Sequence, residues 1–125
     1  MNSDLKISSE QRQADVPVTV LHLRGWLDAQ GEDQLLEQAR AVHDGGAEYI
    51  LIDLSELSTL TSAGMRAIQR VYQMFTPKGD QAKVAHLKLC SAPPQIYNVL
   101  GITGFLQNIP MYESMEAALE SFGKE

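Results

Sequence analysis

Two hydroxyl side chains stand beside two very small residues near the middle of the chain: Thr61 and Ser62 precede Ala63 and Gly64. If a helix begins here, Ser62 lies near unpaired backbone N–H groups and the positive end of the helix dipole, where a phosphoryl group is tolerated. The small neighbours would let a second protein approach closely, and Arg66 is one helical turn away from Ser62. The residues therefore indicate reversible phosphorylation at a binding face, with simple helix capping by Thr61 or Ser62 as the alternative.

No other part of the sequence proposes a reaction or a cofactor. It contains no phosphate loop, nucleophile elbow or pair of catalytic carboxylates. His22, His43 and His86 show no metal-ligand spacing, and the single cysteine, Cys90, is expected to be a small core residue. We therefore expect a binding module rather than an enzyme, with no metal and no cofactor. An enzyme or a small-ligand binder, for example for a nucleotide, is the minor alternative.

The composition bounds the kind of partner. The 125 residues suit one domain, residues 1–125, with an ordinary core, and the net charge of −6 argues against nucleic acid and against an anionic membrane surface. A protein with a basic face is the favoured partner. The sequence shows neither a signal peptide nor the roughly 20 apolar residues of a membrane span, and its lone cysteine fits a reducing compartment, so we expect a cytoplasmic protein without membrane insertion.

The elements that must position these residues alternate between strand and helix patterns in the order β-β-α-β-α-β-α-β-α. Such alternation predicts an α/β fold with a largely parallel sheet and right-handed crossovers. The predicted strands are 5–9, 18–26, 49–54, 84–89 and 109–112, with connections at 11–17 and 55–61. The predicted helices are capped by Asp28 and Ser114 or begin near Ser62 and Pro93, and they stop at Gly45, Gly46, Pro77, Gly79 and Gly101.

Ligands and partners of open α/β sheets meet the strand ends from which helices depart. One such end carries Trp26 and Asp28, and the other begins at Asp53 and runs to the Ser62 turn. Asp28 is expected to cap its helix, which is compatible with a place on a binding surface. Asp53 is expected to make a structural hydrogen bond near Ser55. Trp26 would suit a binding hot spot if it is exposed, although partial burial is the commoner state of Trp.

Three segments carry a family resemblance, and they follow one another along nearly the whole chain: Gly25-Trp26-Leu27-Asp28, Asp53-Leu54-Ser55-x-Leu57-x-x-Leu60-Thr61-Ser62-Ala63-Gly64-Met65 and Ile102-Thr103-Gly104-Phe105. They resemble the signature sequences of STAS domains, the family of bacterial anti-sigma factor antagonists. The resemblance implies a mixed, largely parallel sheet of four to five strands flanked by about four helices.

The resemblance also implies a mechanism. Family members are switched by phosphorylation of the residue before the two small ones, which is Ser62 here. The unphosphorylated form binds a serine-kinase anti-sigma factor, which then releases its sigma factor, and a phosphatase resets the switch. The resemblance implies the following partner-binding residues: Asp28, Thr61, Ser62, Ala63, Gly64, Met65 and Arg66.

The sequence departs from the family pattern at one position. The family usually has an acidic residue immediately before the phosphorylated one, and this chain has Thr61. Thr61 is therefore an alternative acceptor. A constitutive scaffold or adaptor, as in a stressosome-like assembly or a lipid-transport complex without phosphorylation, is the alternative function, and a homodimer is left open.

Overall fold

The computed structural model describes residues 4–76, 85–102, 104 and 109–123. Its strands and helices follow the predicted order. They are β1 (Lys6–Gln13), β2 (Pro17–Leu27), α1 (Ala29–Asp44), β3 (Ile50–Leu60), α2 (Ser62–Phe75), β4 (Leu87–Cys90), α3 (Pro94–Ile102), β5 (Met111–Tyr112) and α4 (Met115–Ser121).

The strands form one mixed sheet in the order β1-β2-β3-β4-β5, which confirms the predicted fold class. β1 pairs with β2 antiparallel, and the remaining neighbours pair in parallel. Each parallel connection passes through a helix, because parallel neighbours need a crossover. The carboxyl ends of β2, β3 and β4 therefore meet at one edge of the sheet, from which α1, α2 and α3 depart.

The helices divide between the two faces of the sheet. α1, α2 and α3 bury the main core against one face, with Leu35, Ile68 and Leu100 fully shielded from solvent. α4 covers part of the other face, where Ala118 and Phe122 pack against apolar residues of β2, β3 and β4. Apolar cover on both faces explains why β2 and β3 have few polar residues in their first halves. None of the helices in the described part of the chain has the length and apolar composition that a membrane crossing requires.

Local signals predicted the helix limits well. The Asp28 side chain caps α1, the Ser114 side chain caps α4, and Gly45 is the C-cap of α1. His43 is exposed near the end of α1, and its ring meets the Phe75 ring edge-on with centroids 5.0 Å apart. A polar ring at the end of α1 can thus cover an apolar neighbour while it keeps contact with water.

The strands β1, β2 and β3 extend beyond their predicted ends. β1 includes Gln11 and Gln13, which were assigned to a connection, because Gln13 pairs with Pro17 across a tight turn. β2 was predicted to span 18–26, with Gly25 as the signal for its end, and residues 55–61 were predicted to be a connection. Both predictions are wrong, because β2 and β3 continue to pair with each other as far as Leu27 and Leu60. Ladder hydrogen bonds between these distant segments outweigh the local turn preferences of glycine and serine.

Other limits differ by one or a few residues, among them those of β4, which spans Leu87–Cys90 rather than 84–89. α3 continues one residue past Gly101 to Ile102, and the last strand is shorter than the predicted 109–112. Several predicted features lie outside the described residues: the break at Pro77 and Gly79, the start of the fourth strand at Val84, and Thr103 and Phe105 of the third family segment.

Candidate functional site

The paired ends of β2 and β3 bring the two predicted turns together. Trp26 lies opposite Thr59, Leu27 lies opposite Leu60, and the Thr61 N–H donates to the Leu27 carbonyl at 3.2 Å. The starts of α1 and α2 therefore stand side by side and border an open depression of about 630 Å³. The depression is lined by Trp26, Asp28, Ala29, Gln30, Thr61, Ser62 and Ala63.

The two hydroxyl residues occupy different places in the turn. Thr61 is the N-cap of α2, and its hydroxyl accepts a hydrogen bond from the Gly64 N–H at 3.3 Å. Ser62 is the first residue of α2 and is exposed. Within the described part of the chain, the Ser62 side chain makes no hydrogen bond. Thr61 thus has the capping role that the sequence left open between the two residues, and Ser62 lines the depression.

Gly64 is buried, and its lack of a side chain serves the fold. A Cβ atom at this position would lie only 2.1 Å from the Leu27 carbonyl oxygen and 2.9 Å from the Leu27 Cγ. The glycine therefore allows α2 to start directly against the end of β2, whereas the sequence suggested that its small size serves a partner. Ala63 lines the depression, and Met65 is partly buried against the main core.

Arg66 is engaged with α1. Its Nε lies 3.4 Å from Glu32 Oε2, and Arg70 approaches the same oxygen at 3.5 Å. Both arginine side chains are 56% exposed, so each ion pair contributes little to stability on its own. The predicted proximity of Arg66 to an anion on Ser62 would require Arg66 to exchange Glu32 for that anion.

Asp28 and Asp53 both act as local acceptors. Asp28 Oδ1 accepts from the N–H groups of Gln30 and Gly31 at 3.1 and 3.2 Å, which confirms the predicted cap of α1. Asp53 Oδ1 accepts from the Ser55 N–H at 3.0 Å, which confirms the predicted structural hydrogen bond. Because the N-terminal ends of α1 and α2 both border the depression, the helix dipoles favour negative charge there.

Sequence reasoning missed a polar cluster on the face of the sheet that carries α4. His22 Nδ1 lies 2.6 Å from Asp53 Oδ2, and His22 Nε2 lies 2.5 Å from Glu10 Oε2. Partial burial alone would lower the pKa of His22, but the hydrogen bonds to Glu10 and Asp53 and their charges outweigh it and raise that pKa above 6.5. The contacts depend on the register of three strands, for which the sequence holds no local signal.

Cys90 is completely buried at the end of β4, as predicted. Burial raises the pKa of its thiol to about 11, so the thiol is protonated at neutral pH. Among the described residues, no group of His, Cys, Asp and Glu side chains is arranged to hold a metal ion.

Residues 8–118 match the family model of the STAS domain. The chain is 30% identical over 100 residues to a Bordetella bronchiseptica protein assigned as the anti-sigma factor antagonist BtrV, and the match covers 80% of this chain and 82% of that protein.

Solved structures share the fold. The crystal structure of an anti-sigma factor antagonist from Mycobacterium paratuberculosis superposes with a TM-score of 0.79 at 20% identity, over 95% of this chain and 94% of that chain. The Bacillus cell fate determinant SpoIIAA in its phosphorylated form superposes with a TM-score of 0.64 at 19% identity, over 92% of this chain and 97% of that chain.

Proposed function

This chain belongs to the STAS domain family, and on that premise we propose that it is an anti-sigma factor antagonist switched by phosphorylation of Ser62. The unphosphorylated form binds a serine-kinase anti-sigma factor, which then frees its sigma factor, and a phosphatase restores this form. BtrV and the Mycobacterium paratuberculosis protein are anti-sigma factor antagonists by their names, which supports the general role. In this proposal residues 1–125 form one cytoplasmic domain that works by binding rather than by catalysis.

The environment of Ser62 carries the proposal. Its hydroxyl is exposed at the first residue of α2 and has no competing hydrogen bond in the described part of the chain. Phosphorylation of Thr61 would instead sacrifice the hydrogen bond that its hydroxyl accepts from Gly64. Loss of such a cap costs about 1 kcal/mol, so Ser62 is the favoured acceptor.

The capping role of Thr61 also accounts for its departure from the family pattern. Thr and Asp side chains both accept hydrogen bonds from the first turn of a helix, and Asp is the slightly better cap. A threonine can therefore replace an acidic capping residue at this position and leave the start of α2 in place. The departure removes a negative charge next to Ser62 while it keeps the geometry that presents the Ser62 hydroxyl.

A phosphate on Ser62 acts through charge at the contact face. It adds roughly −1.5 to −2 charges beside a helix N-terminus, where the dipole stabilises an anion by up to about 1 kcal/mol, so the fold itself is not disrupted. A protein packed over the same depression would have to desolvate that phosphate close to the Asp28 carboxylate. A penalty of about 3 kcal/mol weakens binding by roughly two orders of magnitude, which is enough for a switch.

The partner-binding surface in this proposal comprises the exposed parts of the two helix starts. Asp28, Ser62 and Ala63 line the depression together, which supports their place in the contact. Arg66 lies on the exposed face of α2 and can contact either the partner or the phosphate if it breaks its ion pair with Glu32. Glu32 would then still be paired with Arg70. Gly64 acts indirectly, because its contact with Leu27 positions the turn.

The test is incubation of the chain with its cognate serine-kinase anti-sigma factor and ATP, followed by peptide mass spectrometry. We expect one phosphate on Ser62 in the wild-type chain and none in Ser62→Ala. Thr61→Asn is the matched control, because Asn caps helices well but cannot be phosphorylated, and it should still accept phosphate on Ser62. Phosphate on Thr61, or on neither residue, would contradict the switch at Ser62. Absence of phosphate from both residues, together with a large homo-oligomer, would favour a constitutive scaffold.

A further inference from the structure

The side chain of Trp26 is unusually accessible for its size. It is 41% exposed, and it is the only tryptophan of the chain. Two other large apolar residues in the described part of the chain are also exposed, Tyr97 and Ile102, but both lie on α3 and neither lines the depression. Trp26 is thus the large apolar side chain on the rim that also holds Ser62.

A β-bulge lies opposite Trp26, on the neighbouring strand β3. Gly25 lies opposite Leu57 and Trp26 lies opposite Thr59, so Ser58 is an extra residue on β3. The Ser58 hydroxyl donates to the Gly25 carbonyl at 3.0 Å, so a side-chain hydrogen bond joins β3 to β2 at the bulge. Bulges of this kind redirect a side chain and are common beside functional sites.

Gly25 lets the N-terminal segment pack closely against β2 beside Trp26. Its φ of +97° lies in the region that favours glycine, and a Cβ atom there would be 2.3 Å from the Asp4 carbonyl oxygen. The backbone of Trp26 is therefore fixed by the sheet on one side and by the N-terminal segment on the other. Because this backbone is already ordered, only the side-chain torsions of Trp26 lose freedom on binding, so more of its contact energy appears as affinity.

We propose, on the basis of the function proposed above, that Trp26 is the apolar anchor of the interface with the serine-kinase anti-sigma factor. Its ring enters an apolar pocket of that protein, and the fit of this pocket selects the anti-sigma factor that the chain accepts. Buried Trp residues dominate many interfaces, and the surrounding polar contacts serve mainly to exclude water. Because Ser62 lines the same depression, a phosphate there has to be desolvated next to the anchor, which links selection and switching at one place.

The first experiment measures affinity by calorimetry between the chain and its purified cognate serine-kinase anti-sigma factor. Trp26→Ala should weaken binding at least 30-fold, and Trp26→Phe, which keeps an aromatic ring, should weaken it less than about fivefold. Tyr97→Ala is the matched control, because Tyr97 is also exposed but lies away from the depression, and it should change affinity less than threefold. Binding by Trp26→Ala within threefold of the wild type would overturn the inference.

The second experiment does not require a variant to fold. A chain labelled with 5-fluorotryptophan has one ¹⁹F resonance, because it has one tryptophan. This resonance should shift when unlabelled anti-sigma factor binds the unphosphorylated chain, and an unchanged resonance in a formed complex would refute the anchor. If the wild-type chain does not bind the anti-sigma factor at all, the proposed function itself fails, which is a result distinct from failure of the anchor alone.

Discussion

Replacement of Gly64 by Ala tests whether this glycine serves the fold or the partner. In the structure an added Cβ atom would be 2.1 Å from the Leu27 carbonyl oxygen, whereas ordinary contacts lie at 3.4–4 Å. The start of α2 would have to move away from β2 by roughly 1 Å. That movement would stretch the 3.2 Å hydrogen bond between the Thr61 N–H and the Leu27 carbonyl, which joins the two turns of the site.

The expected magnitude follows from these contacts. Overpacking of a well-filled site costs about 1–3 kcal/mol, and loss of the backbone hydrogen bond adds about 1 kcal/mol. The better helix propensity of Ala returns up to about 1 kcal/mol. The free energy of unfolding should therefore fall by about 1–4 kcal/mol, which corresponds to a decrease in Tm of about 4–16 °C at about 4 °C per kcal/mol for a chain of this size.

Gly101→Ala is the matched control, because Gly101 is also helical but has nothing within 4 Å of an added Cβ atom. It should leave stability unchanged or raise it by up to about 1 kcal/mol. Denaturant unfolding followed by circular dichroism gives both values. If Gly64→Ala were as stable as the wild type and had only lost partner binding, the glycine would serve the partner and the packing argument would be refuted.

Thr61→Ala, which removes the hydroxyl, should lower the free energy of chemical unfolding by about 1 kcal/mol, while Thr61→Asn should lower it little. Equal losses of stability in the two variants would show that the hydroxyl does not cap α2. Asp28→Asn should keep the α1 cap and change stability by less than about 0.5 kcal/mol, whereas Asp28→Ala should cost about 1 kcal/mol, and equal unfolding curves for both variants would contradict the capping role. Because the fold raises the pKa of His22, its interactions with Glu10 and Asp53 stabilise the protein fully below about pH 6.5 and lose this effect as the pH rises through the folded-state pKa. The free energy of unfolding, measured across that pH range, should fall in the wild type relative to His22→Gln. A difference in free energy between the two proteins that does not change with pH would refute the contacts of His22 with both Glu10 and Asp53.

The sequence by itself determined the features that depend on neighbouring residues. The order of strands and helices follows from the periodicity of apolar residues, and the helix limits at Asp28, Gly45 and Ser114 follow from side chains that bond the nearest turn. The position of Ser62 at the start of a helix also came from local pattern. These features were predictable because their energies arise within a few residues along the chain.

Only the tertiary structure decided features that depend on register between distant segments. The pairing of β2 with β3 carries both strands past their predicted ends and places Ser58 in a bulge beside Trp26. The same pairing puts Leu27 against Gly64. It also brings His22 to Asp53, which is 31 residues away in sequence. A shift of one residue between these strands would turn every side chain to the opposite face without altering any local pattern, so the sequence identified the turn but not the contacts that shape it.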